Sequence, residues 1–356
     1  MRLSTISRAF APVGIVLMSL IPSAESGEPP TSDPPIKAPH AQEEEDDEAA
    51  DKANWNLNAR TMGGKQFWTD ELIHGGWRIQ RNVLSRHYRL LDPTDARRAW
   101  GSWEKCRASW LTIREQEHVP PLKKRVVVVL HGLGRTRGAM EGIAEHLAHH
   151  GDYSALCMSY ASTRATIGDH AESLARVIDN LDGAEEINFL AHSMGNLVIR
   201  HYFGDKQGSA DSARLDSRIR RFVMLAPPNN GAQLAERFQN NAAFRFIFGK
   251  SGQELGHDWE SVEKHLATPP CPFGIIAGGG SDGSDRNPLL VGDDDMIVSV
   301  AETRLAGAAD FIVVPAVHTL IMDDPRARDF ALNFLKYGFF VSADRRQPIP
   351  AEDPRE

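Results

Sequence analysis

Ile187-Asn188-Phe189-Leu190-Ala191-His192-Ser193-Met194-Gly195-Asn196-Leu197-Val198 runs from a short apolar stretch into a helical one across a serine flanked by small residues. Ile187 to Ala191 reads as a strand buried on both faces. Met194, Leu197, Val198 and Tyr202 then recur at i, i+3, i+4 and i+8, the spacing of an amphipathic helix. A chain that passes from strand to helix this abruptly makes a sharp, strained turn. Its flanking positions must be small because the two elements approach closely. Such a turn exposes the serine hydroxyl, and the first turn of the helix supplies backbone donors and a favourable field for a developing anion. Small-x-Ser-x-Gly is common by chance, so the strand–turn–helix setting carries the signal.

Outward from this stretch the same alternation repeats. Val126 to Leu130 is four valines and a leucine, a strand buried on both faces, and Met140, Ile143, Ala144 and Leu147 follow at helical spacing. Ala155 to Tyr160 reads as a strand, and Leu174, Val177, Ile178 and Leu181 as a helix face. Phe222 to Leu225, Gly274 to Ala277 and Phe311 to Val314 are further strands, and Phe330, Phe334 and Leu335 mark a closing helix. Strands alternating with amphipathic helices predict one α/β domain, a mostly parallel sheet with helices on both faces. Upstream, Trp68, Trp77, Tyr88 and Leu90 suit strands or extended edges. Asp92-Pro93-Thr94 opens an expected helix carrying Trp100, Trp103, Trp110 and Leu111, ended by Pro120-Pro121. Residues 59–122 have no assignable chemical role.

The 356 residues carry a formal charge of −8, most of it local. Residues 1–52 hold four basic and ten acidic side chains, so only about −2 is left for the rest, and nothing basic enough for nucleic-acid binding remains. Arg2 and Arg8 precede sixteen uncharged residues, Ala9 to Ala24, in the order of a secretory signal peptide. The expected organisation is a signal peptide at 1–24, a disordered acidic and Pro-rich linker at 25–58, the domain at 59–342 and a disordered tail at 343–356. The expected location is periplasmic or extracellular, with an uncleaved N-terminal anchor as the alternative. Cys106, Cys157 and Cys271 allow one disulfide without choosing the pair.

A serine hydroxyl needs a base, and the base an orienting acid. His318 follows the last strand in Pro315-Ala316-Val317-His318, past the C-terminal end of its strand, on the edge where the serine turn opens. His257 and His265 fall in an insertion, His201 lies within the helix after the serine, and His192 flanks the serine and should point elsewhere. Asp293-Asp294-Asp295 follows an earlier strand, with Asp295 the expected acid and Asp294 the runner-up. The acid-rich loop Ser281 to Asp295 could instead hold Ca²⁺, or simply be solvated. His131-Gly132-Leu133-Gly134 ends the first parallel strand, where the N–H of Leu133 can join that of Met194 around an oxyanion.

Together His131 to Gly134, Ala191 to Gly195, Pro227-Pro228-Asn229-Asn230-Gly231, Asp295 to Val298 and Val317-His318-Thr319 resemble bacterial lipases and esterases of the α/β-hydrolase superfamily, including relatives of the GPI inositol-deacylase group. The resemblance spans roughly residues 124–338 and implies carboxyl-ester hydrolysis through an acyl-enzyme on Ser193. It implies a small-molecule or lipid ester substrate, transient contact with a lipid surface, and no metal or organic cofactor. No GPI substrate carries over, because the membrane spans of that enzyme are missing. The acid of such families begins Asp-Gly-x-Val, whereas Asp295-Met296-Ile297-Val298 lacks the glycine. An insertion at about 231–269 sits where a cap is common, and Phe238, Phe244, Phe246, Ile247 and Phe248 would line an acyl cleft or pack the cap. Peptidase or amidase action by the same residues, and a non-catalytic exported binding protein of the same fold, are the competing readings.

Overall fold

β5 (Arg125–Leu130) shows why the domain is layered. Val126, Val128 and Leu130 point into one apolar cluster, Val127 and Val129 into another, and all five are fully buried. Burial on both faces, worth about 1.5–3 kcal/mol per side chain, calls for helices on each side. On the first side, α3 (Ile167–Asp179) and α4 (Gly195–Gly208) bring Leu174, Val177, Leu197 and Val198. On the second, α2 (Glu141–Gly151) and α6 (Pro325–Tyr337) bring Ile143, Leu147, Phe334 and Leu335.

The computed structural model describes residues 65–208, 215–231, 249–256, 258–280 and 286–351. The chain divides into two units, residues 1–55 and 56–356, and all of the first lies outside the described residues. So do the expected signal peptide and linker, and the cap phenylalanines Phe238, Phe244, Phe246 and Phe248 with Ile247. Among the described residues no helix is long and apolar enough to cross a membrane.

Six parallel strands form the main sheet. With β6 (Ser154–Met158), β7 (Glu186–His192), β8 (Ile219–Leu225), β9 (Phe273–Gly278) and β10 (Asp310–Val314), the order is β10-β9-β8-β7-β5-β6. Chain order reverses beside β5, so the crevice at the C-terminal ends of β5 and β7 is the switch point where α/β sheets place their sites. This is the α/β-hydrolase architecture.

Residues upstream of β5 form a second, antiparallel sheet. It comprises β1 (Trp68–His74), β2 (Trp77–Asn82), β3 (Tyr88–Leu91) and β4 (Arg97–Gly101), in sequence order. The helix expected from residue 94 therefore begins later. Arg97–Gly101 pairs with β3, Trp100 stands on that strand, and Ser102 caps α1 (Trp103–Gln116) by accepting the Lys105 N–H. Alternation along β2 explains the sheet's two buried faces. Trp77 and Ile79 pack with Leu90 and Trp110 under α1, while Arg78 and Gln80 donate to the Asp70 carboxylate on the other. Asp70 also accepts the Ser159 N–H at 2.6 Å, tying this polar face to the end of β6. Trp110 is 2 % exposed and lies 5.5 Å from the Trp77 ring. Trp110→Ala is expected to lower stability by about 3–5 kcal/mol in urea unfolding, the range for emptying a buried aromatic site. A loss below 1 kcal/mol would mean that this sheet is not part of the cooperative unit.

The structure bears on two other readings. Residues 343–351, expected as part of a disordered tail, are anchored to the domain at Gln347 and Ile349 while their other side chains are exposed, and residues 352–356 lie outside the described residues. Ile349 is 3 % exposed and its N–H reaches the Ala308 carbonyl, while the buried Asp310 carboxylate accepts the N–H groups of Phe340 and Gln347. No cysteine pair forms a disulfide, since Cys106, Cys157 and Cys271 are each free and buried in different parts of the core.

Candidate active site

At the C-terminal end of β7 the backbone of Ser193 takes φ 53°, a left-handed conformation that costs a non-glycine residue roughly 1–2 kcal/mol. Hydrogen bonds hold it there. The Ser193 N–H donates to the Leu225 carbonyl, and the Ser193 carbonyl accepts the Asn196 N–H and side-chain amide. Close approach accounts for the flanking glycines. A methyl group on Gly195 would lie 2.7 Å from the His131 carbonyl, and one on Gly132 3.0 Å from Ser193 Cβ.

The structure brings Ser193, His318 and Asp295 into one hydrogen-bonded row. Ser193 Oγ lies 2.9 Å from His318 Nε2, and His318 Nδ1 lies 2.7 Å from Asp295 Oδ2. Asp295 is fully buried and His318 is 5 % exposed, whereas Ser193 is partly open to solvent. The other carboxylate oxygen of Asp295 accepts the N–H groups of Ile297 and Val298, which leaves Oδ2 to the imidazole and makes Nδ1 its protonated nitrogen. The His318 N–H also donates to the Asp295 carbonyl.

Asp294, the runner-up, faces away from the histidine. Its oxygens accept the N–H groups of Arg286, Asn287 and Met296. Asp293 accepts the N–H of Gly280. Each carboxylate of this triplet is thus engaged by its own loop. Residues 281–285 of the segment considered for Ca²⁺ lie outside the described residues. Met296 stands where the resembled families carry glycine and has φ 83°. The chain makes the glycine-type turn with a methionine, held by the Met296 N–H on Asp294 and the Asn287 amide on the Met296 carbonyl.

Leu133 and Met194 lie in the loops after β5 and β7. Among the described residues neither backbone N–H donates to a protein acceptor. The loop carrying Leu133 is clamped from several sides. The Gly134 N–H donates to Ser162 Oγ, Gln66 donates to the Arg135 carbonyl, and Arg135 reaches the Thr319 carbonyl beside His318. Gln66, Ser162 and Arg135 had no signal in the sequence, because their partners are far away along the chain.

His192 was expected to point elsewhere, and instead it supports the site. Its Nε2–H donates to the His318 carbonyl at 2.9 Å and its ring lies 4.7 Å from the His318 ring. Burial holds His192 well below the ordinary 6.5 and pushes His131 down to about 4 and His170 to about 3. A neutral His192 puts no charge beside His318. All three imidazoles bind a proton in the unfolded chain below about pH 6.5 that the folded chain refuses until the pH is well lower, near 4 for His131 and near 3 for His170. Their contribution to stability is therefore present above pH 6.5 and lost as pH falls toward 4. Among the described residues neither ring nitrogen of His170 has a partner, and the ring lies 4.7 Å from Tyr160. His170→Phe is expected to flatten the fall of unfolding free energy between pH 6 and pH 4.5 by about 1.4 kcal/mol per pH unit. Urea titrations at several pH values read this, and an unchanged slope would contradict it.

Residues 94–247 match a protein family described as a domain of unknown function (DUF7379). No curated protein matches the chain. Among solved structures, the mature lipase BlEst2 of Bacillus licheniformis is similar at 19% identity, covering 62% of this chain and 92% of its own, with a TM-score of 0.45. A thermophilic esterase from Thermogutta terrifontis is similar at 16% identity, covering 61% and 91%, with a TM-score of 0.38. The metagenomic carboxyl esterase MGS0156 is similar at 17% identity, covering 56% and 67%, with a TM-score of 0.39. Identities this low leave the activities in those names with those enzymes. What the sheet order and the serine turn after β7 establish for this chain is the α/β-hydrolase fold.

Proposed function

We propose that the chain is a serine hydrolase that cleaves carboxylic esters, including lipid esters, through an acyl-enzyme on Ser193. The observation that carries this reading is the row Ser193 Oγ, His318 Nε2, His318 Nδ1, Asp295 Oδ2, with both separations at hydrogen-bond length. His318 takes the Ser193 proton as the hydroxyl attacks the ester carbonyl. Asp295 holds the imidazole with Nε2 free to accept and stabilises the imidazolium that forms. The N–H groups of Leu133 and Met194, which have no protein acceptor among the described residues, bind the oxyanion. His318 then protonates the departing alcohol, and water activated by the same nitrogen releases the acid.

His192 and Arg135 act by position, fixing the His318 segment to the serine turn and to the Leu133 loop. The charged, apolar, small-residue order of residues 1–24 supports export as the route to the substrate.

The test is turnover of a nitrophenyl ester series from acetate to laurate, beside matched anilides, with fluorophosphonate labelling of the full chain read by mass. Ester turnover well above anilide turnover, with the adduct on the Ser193 peptide, is the expected result. Folded protein that takes no label, with or without detergent, would replace this reading by a binding protein of the same fold.

A further inference from the structure

We propose that His201, Asp205 and His265 form a site for a divalent transition metal, with zinc the fitting ion. His201 and Asp205 are four residues apart on α4 and share a face. His265 follows α5 (Trp259–Glu263), on the segment that leads into β9. One donor atom from each of the three lies within 4.8 Å of the others. His201 Nδ1 and Asp205 Oδ2 are 3.0 Å apart, and the His265 ring lies parallel to that of His201, at 5.2 Å and 11°.

These distances suit one ion. Two donors bonded tetrahedrally to zinc at about 2.0–2.1 Å stand roughly 3.3 Å apart. The His201–Asp205 pair already meets this spacing. His265 must close by at most about 1.5 Å from the 4.8 Å limit to a tetrahedral spacing, which a side-chain rotation supplies, because it is exposed and makes no hydrogen bond from its ring among the described residues. His201 is oriented for the role. Its Nε2 edge faces Gly168, where a methyl group would stand 3.3 Å away, so its Nδ1 edge turns toward Asp205. Two imidazoles and one carboxylate suit zinc, cobalt or nickel, whereas calcium and magnesium take sets of oxygens. A water would fill the fourth position.

The backbone brings the two ligand-bearing segments together before any ion arrives. The Ala267 N–H donates to the Arg200 carbonyl and Arg200 Nε to the Ala267 carbonyl. Gly204 lies against the His265 carbonyl so closely that any side chain there would overlap it. A metal at this point would staple the helix that starts beside Ser193 to the segment returning from residues 249–263. The site takes no part in the ester chemistry, so it stands or falls independently of that reading.

The test uses the full chain without a polyhistidine tag, stripped with EDTA and titrated with Zn²⁺ by calorimetry. One equivalent should bind with a Kd of about 1 µM or tighter. His265→Ala and Asp205→Asn, both at exposed positions, should each weaken binding by at least about 100-fold and leave the metal-free melting curve unchanged. Co²⁺ should give the visible absorption of a four-coordinate ion, and both variants should lose it. Zinc binding that is equal in wild type and variants, or weak and of several equivalents, would assign it to scattered surface histidines and overturn the proposal.

Discussion

Ser193→Ala is expected to leave a folded protein that takes no fluorophosphonate and turns over esters on the order of 10⁶-fold more slowly, with KM little changed. The size follows from what the substitution removes. Without the hydroxyl there is no acyl-enzyme, and His318 has no proton to collect, so its alignment with Asp295 gains nothing. Residual turnover would come from binding and the oxyanion donors acting on water, which is why the loss stops short of the whole rate enhancement. Folding should survive. Alanine meets the same left-handed φ of 53° that Ser193 already tolerates, and the hydrogen bonds holding the turn run through the backbone of residue 193. Matched circular dichroism and urea midpoints would establish that the loss is chemical. A variant with wild-type turnover would remove Ser193 from the reaction.

Asp295→Asn is expected to lower kcat by about 10⁴-fold with the fold kept, whereas Asp294→Asn should change kcat less than tenfold and act mainly on stability. The contrast rests on hydrogen-bond direction. Oδ1 of Asp295 accepts two backbone N–H groups, from Ile297 and Val298. An asparagine would keep its carbonyl oxygen there and turn its NH₂ toward His318. That group cannot accept from Nδ1–H, so the imidazole would protonate Nε2 instead and lose the lone pair that takes the serine proton. Asp294 spends its oxygens on the N–H groups of Arg286, Asn287 and Met296. Amidation there removes part of a loop cap and leaves the histidine untouched. Kinetics and urea unfolding on both variants separate the two aspartates, and equal kcat losses would refute the assignment of Asp295.

The sequence by itself determined most of the main layer. Its buried strands appear as uninterrupted apolar runs and its helices as 3.6-residue patterns, and both are properties of neighbouring residues. The serine turn was legible for the same reason, since Ala191, Gly195 and the serine between them lie within five positions. Chain order and strand ends also pointed to His318 and to the acid triplet.

Only the tertiary structure decided which acid of the triplet meets the histidine. Asp294 and Asp295 differ by one step along the chain, and the left-handed turn at Met296, with its partners Asn287 and Asp294, sends the second toward His318. The support from His192 depends on a partner 126 residues away, and the clamp from Arg135 on one 184 away. The strand at Arg97–Gly101 reads locally as helix and becomes a strand only because β3 offers it a ladder. Periodicity records which face of an element is buried. It does not record what covers that face, and contacts between distant segments supply that here.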